Sequence, residues 1–213
     1  MQRDPASRLA PSLAPEHDWA AAAGVILPAL RPAGTVGVDG RNLEVPSGAG
    51  LPGKPLIAVG PAGLALGYVI PGKGFDVLVG AEHLLSWGVG PEAVHAAAMA
   101  NLAAWSRGAP WVDEVEGRWR AVSSDSGEGM DAARILLPEV RAQLAADLGA
   151  IGRVLIGLPD RHVLIATGLP EGDEEFVTMF AAYVAILWDG ADEPLDGRVF
   201  ELVDGELVVF DPT

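Results

Sequence analysis

The chain of 213 residues contains no cysteine. Disulfide bonds, thiolate metal sites and cysteine nucleophiles are therefore excluded, and His, Asp and Glu remain as the strong metal ligands. Long hydrophobic runs are also absent, since the apolar stretch AAAAGVILPAL at 20–30 is too short to cross a membrane and is interrupted by Pro28. Acidic residues precede it where a secretory signal would carry basic ones, so we expect a cytoplasmic protein with no membrane partner.

Basic residues are scarce, with 14 Lys and Arg against 29 Asp and Glu and a net charge of −15. The imbalance lies in the second half: residues 1–110 carry 7 basic and 8 acidic residues, whereas residues 111–213 carry 7 and 21. Nucleic acid is therefore not expected as a partner, because phosphate backbones require a basic surface. An acidic surface suits a basic protein or a small cation, and it also promotes solubility.

The stretch SGAGLPGKP at 47–55 has the glycine and lysine spacing of a phosphate-binding loop. Pro55 stands where such a loop needs a hydroxyl for Mg²⁺, and Pro52 removes a backbone donor. The apolar run PLIAVG that follows predicts a strand, whereas a phosphate site requires a helix there. The sequence therefore predicts a surface loop that enters a sheet, not a nucleotide site.

Short β-type runs separated by turns dominate the chain. PLIAVG, LALGYVI and FDVLVG predict an antiparallel meander, and WVDEVEGRWRAVSS, RVLIGLPDRHVLIAT and VFELVDGELVVF predict three hairpins. Strand pairs that alternate with single helices favour an α+β fold, with a mostly antiparallel sheet and three to five helices packed on it. Residues 1–16 are rich in Pro, Ala and Ser and predict a loose tail, and we expect residues 17–213 to form one domain.

Four longer helices are predicted. The first covers 17–30, the second GPEAVHAAAMANLAAW, and the third PEVRAQLAADLG, where Pro138 either kinks the preceding segment or begins a new helix. Asp173 is expected to cap the fourth, EEFVTMFAAYVAILW. The apolar stripe predicted for this last helix consists of Phe176, Phe180, Tyr183 and Leu187.

Asn101 lies on the apolar stripe of the second helix, together with Ala98 and Trp105. We expect its side chain to be buried with its amide hydrogen-bonded to main chain, because buried amides require partners. Contact with a ligand is the alternative.

The loop SSDSGEGMD at 123–131 contains three carboxylates, Asp125, Glu128 and Asp131. Oxygen ligands of this kind suit Mg²⁺ or Ca²⁺, although the spacing is not that of an EF-hand. The alternative is a solvated loop, without cofactor, in which Asp131 caps the following helix.

Asp160, Arg161 and His162 lie together at a predicted hairpin turn. An Asp–His pair can perform acid–base chemistry, but no G-x-S-x-G motif supplies a nucleophile, and turn formation alone also explains the cluster.

The segments EHLLSWGVGPEAVHAAAMANL, DAARILLP and GLPDRHVLIA are similar to the YtpQ-like family of uncharacterised bacterial proteins, over about residues 55–170. The resemblance implies no activity, because the family has no established reaction. It singles out Asp131, Arg134 and Arg161 among the charged residues. The matching positions are Trp87, Gly88, Asn101, Leu102, Asp131, Arg134, Leu136, Leu137, Pro159 and Arg161.

Four charged residues, Asp131, Arg134, Asp160 and Arg161, are expected to form an ion-pair network between the helix at 131 and the hairpin at 153–167. The alternative is that the two arginines bind an anionic ligand. The leading function is a non-enzymatic binding or interaction module whose residues 171–213, with 12 acidic residues and one basic residue, meet a basic or cationic partner. The alternative is a divalent-metal-dependent hydrolase that uses the acidic loop, with Asp160 as a further carboxylate.

Overall fold

The computed structural model describes residues 17–39, 54–72, 75–116 and 119–211. Within these ranges the chain forms five α-helices, two short 3-10 helices and two antiparallel sheets, which confirms the predicted α+β class. The helices are α1 (Trp19–Ala22), α2 (Ala81–Trp87), α3 (Pro91–Ser106), α4 (Pro138–Leu148) and α5 (Glu174–Asp189). The strands are β1 (Leu27–Arg31), β2 (Ala58–Val59), β3 (Ala65–Pro71), β4 (Asp76–Leu78), β5 (Val112–Glu116), β6 (Trp119–Ser124), β7 (Arg153–Gly157), β8 (Leu164–Leu169), β9 (Val199–Val203) and β10 (Glu206–Val209).

The smaller sheet has β3 at its centre. β1 pairs along one edge of β3, whereas β2 and β4 both pair with the opposite edge, one after the other. The expected meander therefore changes in one respect. Both turns join antiparallel strands, as expected. Because β1 pairs with one edge of β3, however, β2 and β4 share the other edge instead of lying on opposite sides of β3.

The predicted helix over 17–30 is wrong beyond its first turn. α1 ends at Ala22, and residues 27–31 form β1 instead. Residues 23–25 form a turn around Gly24, which is a poor helix former, and the chain is extended from Leu27 onward. Pro28 is tolerated there because β1 is an edge strand, so the missing N–H interrupts no ladder on its outer side.

The larger sheet contains all three predicted hairpins, in the strand order β10-β9-β7-β8-β6-β5. The turn between β9 and β10 has Asp204 and Gly205 at φ values of 51° and 80°, as a type I′ turn requires. Pro138 begins α4, and the Asp173 carboxylate caps α5 by accepting a hydrogen bond from the Phe176 N–H at 3.3 Å. These elements follow from local signals.

The inner face of the six-stranded sheet packs in one hydrophobic cluster that also contains Ala29 and Leu30 of β1. α5 packs on the outer face through Phe176, Phe180 and Val184. Tyr183, which we expected on the buried stripe, is instead 51 % exposed. The stripe follows successive helical turns and therefore reaches residue 184.

Two sequence predictions concern residues outside the described ranges. The tail at 1–16 and most of the loop at 47–55 belong to these. Lys54 and Pro55 are described, and a strand, β2, follows them as predicted. The single domain over 17–213 stays a prediction. No helix of the described ranges has the length and apolar composition needed to cross a membrane.

Candidate functional site

Asp131 is completely buried, and its predicted role as a helix cap is wrong. Its backbone is already helical, with φ −65° and ψ −46°, and its side chain makes no capping hydrogen bond. The carboxylate instead accepts hydrogen bonds from the hydroxyl of Ser124, and from the hydroxyl and N–H of Ser126 at 2.7 and 3.1 Å. Asp131 therefore ties β6 and the loop after it to the 3-10 helix Ala132–Leu136.

Arg134 is only 1 % exposed. One guanidinium nitrogen donates to the hydroxyl of Ser124 at 2.6 Å, and Nε donates to the hydroxyl of Ser106 at 3.0 Å. The guanidinium also donates to two backbone carbonyls and stacks on Trp111, 3.8 Å from the ring centroid. Burial lowers the pKa of Arg134, and the charge of Asp131 opposes that shift. The Ser124 hydroxyl donates to Asp131 and accepts from Arg134, so it bridges the two opposite charges. The network connects β6, α3 and the 3-10 helix inside the core.

Asp160 and Arg161 do not form the ion pair that we expected. The Asp160 carboxylate accepts hydrogen bonds from the N–H groups of His162 at 2.8 Å and Glu193 at 3.1 Å, which is turn chemistry. Arg161 donates to carboxylates of Asp76 at 2.6 Å and Glu193 at 3.0 Å. The four predicted members therefore belong to two separate polar clusters.

The Arg161 cluster lies where the two sheets meet. Asp76 belongs to β4, Arg161 to the β7–β8 connection, and Arg31 of β1 lies 4.0 Å from Glu193. Burial and the positive charge of Arg161 lower the pKa of Arg31, while Glu193 and Asp76 oppose that shift. Two arginines and two carboxylates balance each other here, so the cluster joins the sheets.

The three carboxylates of the acidic loop do not converge. Asp125 is exposed, Glu128 accepts a hydrogen bond from the Trp105 indole at 2.5 Å, and Asp131 is buried against serines. In the ranges that the structure describes, no group of three or more His, Asp or Glu side chains is placed to hold a metal ion. The metal-dependent hydrolase alternative stays a prediction.

The Asn101 amide makes the main-chain contacts that we expected. Its Nδ2 donates to the carbonyls of Ala23 at 2.9 Å and Ile26 at 2.8 Å, although the side chain is half-buried rather than fully buried. Asn101 therefore holds α3 against the α1–β1 connection.

A groove on the outer face of the six-stranded sheet was not predicted. It has a volume of about 310 Å³ and lies where α5 leaves β6 and β8 uncovered. Ala121 and Thr167 lie on its sheet side, Glu114 of β5 forms one wall, and α5 forms the other wall. Two of the α5 side chains, Met179 and Tyr183, are about half exposed although they line an apolar surface. Large apolar side chains exposed beside a groove are typical of binding surfaces.

The groove opens next to an unpaired strand edge. In the described part of the chain β5 pairs with β6 alone. Glu116 and Trp119 close the hairpin, so they form a hydrogen-bonded pair, and alternation directs the N–H and C=O groups of Asp113 and Val115 outward. Val115 is 69 % exposed, in agreement with a free edge.

The surface around the groove is acidic. β5 has the sequence VDEVE, and Glu174 and Glu175 are exposed in the first turn of α5. No lysine or arginine is among the described residues that line the groove. Arg120 lies nearby, but it donates to both carboxylate oxygens of Asp113, at 3.0 and 2.7 Å. The composition of VDEVE was visible in the sequence, whereas its position at an edge was not.

Comparisons with known proteins identify no relative. No family model matches the sequence, and neither the curated proteins nor the solved structures contain a match. The similarity to the YtpQ-like family therefore stays a prediction.

Proposed function

We propose that this protein is a non-enzymatic binding module, and that it takes an extended segment of another protein as an added strand beside β5. The observation that carries the proposal is the apolar groove of about 310 Å³ that opens along an unpaired, acidic edge strand. An added strand gains affinity from main-chain hydrogen bonds and specificity from pockets for alternate side chains. Both requirements are met at the same place.

The geometry indicates which backbone groups and which side chains of the segment would make contacts. The outward N–H and C=O groups of Asp113 and Val115 would pair with its backbone. Side chains alternate across a strand, so every second residue of the segment would lie on the same face as Val112 and Glu114. That face contains the groove, so these residues should be apolar, with Met179 and Tyr183 of α5 as their contacts.

The charge of the surface defines the rest of the segment. Acidic residues of β5 and of the first turn of α5 give this surface a negative potential, which favours a segment that carries lysine or arginine outside the groove. A second copy of this chain is a poor occupant, because it would place one VDEVE strand opposite another and like charges opposite each other destabilise a strand pair. The partner is therefore a basic protein segment. Of residues 171–213, for which a basic partner was expected, α5 is the part that this segment would contact.

A proline substitution at the edge tests this proposal. Val115→Pro removes an outward N–H and leaves the β5–β6 ladder intact, so it should weaken binding of a peptide of alternating lysine and valine by about tenfold or more. The matched control is Val209→Pro on β10, the opposite edge. The N–H of Val209 also points away from the sheet. The N–H of the next residue, Phe210, donates to the Val199 carbonyl at 3.0 Å, and successive N–H groups of a strand point to opposite sides. Fluorescence anisotropy of the labelled peptide provides the affinities.

The control peptide carries glutamate in place of lysine and should not bind. Binding of the lysine peptide should also weaken as salt is raised, because the contacts are exposed charges. Equal affinity of the parent and Val115→Pro, or equal affinity for both peptides, would overturn the proposal.

A further inference from the structure

A second pocket lies on the four-stranded sheet, away from the α5 groove. It has a volume of about 320 Å³ and forms where the first turns of α3 pass β2 and β3. Leu56 and Leu66 give it an apolar floor, and Tyr68, Glu92 and His95 supply polar groups. A cavity of this size with few converging polar groups is typical of a small-molecule site.

Tyr68 is the buried polar group of this pocket. Its side chain is 4 % exposed, and its hydroxyl lies 3.0 Å from Nδ1 of His95, with the two rings edge to face at 6.1 Å. Burial raises the pKa of Tyr68 to about 12, so the phenol stays neutral at physiological pH. The Tyr68 hydroxyl is thus bonded to His95, and the phenol adds no negative charge beside the pocket.

The charges around the pocket are acidic. Glu92 is exposed in the first turn of α3, three residues before His95, so both side chains lie on one face of the helix. Asp39 is a further lining residue. No lysine or arginine is among the lining residues that the structure describes. An anionic ligand would thus find no counter-charge here, whereas a cation would.

We propose that this pocket binds a small organic cation, namely a primary amine attached to an apolar body. The body would lie against Leu56 and Leu66, and the ammonium group would pair with the Glu92 carboxylate at the mouth. The ring of Tyr68 would lie against the same body, while its hydroxyl stays bonded to His95. This site is independent of the proposed strand-binding surface, because it lies on the other sheet and shares no residue with it.

Phenethylamine and 3-phenylpropionate are suitable probes, because they have similar size and shape and opposite charge. At neutral pH we expect saturable binding of the amine in the millimolar range, followed by NMR chemical shifts, and none of the acid. Glu92→Gln should weaken amine binding by about tenfold, since it removes the ion pair and keeps the shape. Tyr68→Phe should change it little, because the ring that contacts the body is kept and the lost hydroxyl bonds to His95.

The matched control is Glu139→Gln. α4 begins with Pro138 and Glu139 just as α3 begins with Pro91 and Glu92, so both substitutions remove one charge from the same helical position. The control should leave amine binding unchanged, and circular dichroism should show both variants folded. Equal binding of the two probes, no saturation with the amine, or equal affinity of the parent and Glu92→Gln would overturn the inference.

Discussion

The two faces of the six-stranded sheet are closed to different degrees. On the inner face Ile156 and Phe200 are completely buried, and the buried charges of Asp131 and Arg134 are hydrogen-bonded to the hydroxyl of Ser124. On the outer face α5 covers only part of the sheet, and Met179 remains 48 % exposed. The inner face therefore shows what folding requires, because the charges buried there are paired through hydrogen bonds. The outer face retains apolar surface that folding does not use.

The largest effect is expected at the centre of the closed face. Arg134→Ala should lower the free energy of unfolding by about 3–5 kcal/mol, because it leaves the Asp131 carboxylate buried without its cation. Arg120→Ala is the matched control, since it also removes an arginine hydrogen-bonded to protein oxygens, but at an exposed site. Arg120→Ala should lower the free energy of unfolding much less than Arg134→Ala does. Urea denaturation measures both, and equal losses would contradict the comparison.

Two neighbouring residues of α5 compare the closed and open parts of the outer face. Phe180→Ala should cost about 3 kcal/mol of stability, because Phe180 is buried in the cluster between α5 and the sheet. Met179→Ala should cost less than about 1 kcal/mol, because half of this side chain is already exposed. Met179→Ala should nevertheless weaken binding of the lysine and valine peptide, with little change in the melting temperature. A Met179 variant with unchanged peptide affinity would remove α5 from the proposed surface.

Tyr68 extends the comparison to a buried group that lies beside a pocket. Its pKa is raised to about 12 in the folded state from 10.0. The unfolded chain therefore releases this proton first, so the folded state loses stability as the pH rises from about 10 towards 12, by roughly 2–3 kcal/mol in all. Tyr68→Phe should show a shallower alkaline decline in urea midpoints. Parallel declines would show that the phenol is not protected.

The sequence predicted the elements whose signals are local. The Asp204–Gly205 turn, the start of α4 at Pro138 and the cap at Asp173 each depend on a few adjacent residues. The error at β1 has a similar origin, because alanines at 20–23 favour a helix while the residues after Gly24 favour a strand. For Asn101 the spacing along α3 predicted main-chain hydrogen bonds, but not the identity of the carbonyls, which lie more than 70 residues away.

The candidate sites were predicted less well, because they depend on contacts between distant segments. The sequence singled out Asp131 and Arg161, but it did not predict Ser124, Asp76 and Glu193 as their hydrogen-bond partners. Pairing with the nearest charge in the sequence failed for Asp160 and Arg161, since adjacent side chains point in different directions.

By itself the sequence determined the α+β class, the three hairpins and the acidic character of the second half, because backbone propensity, turn chemistry and composition are properties of short segments. Only the tertiary structure decided that β5 is an edge strand, that α5 leaves part of a sheet uncovered, and that Tyr68 meets His95. The order of strands in a sheet is set by packing between segments far apart in the chain, and local periodicity carries no information about it.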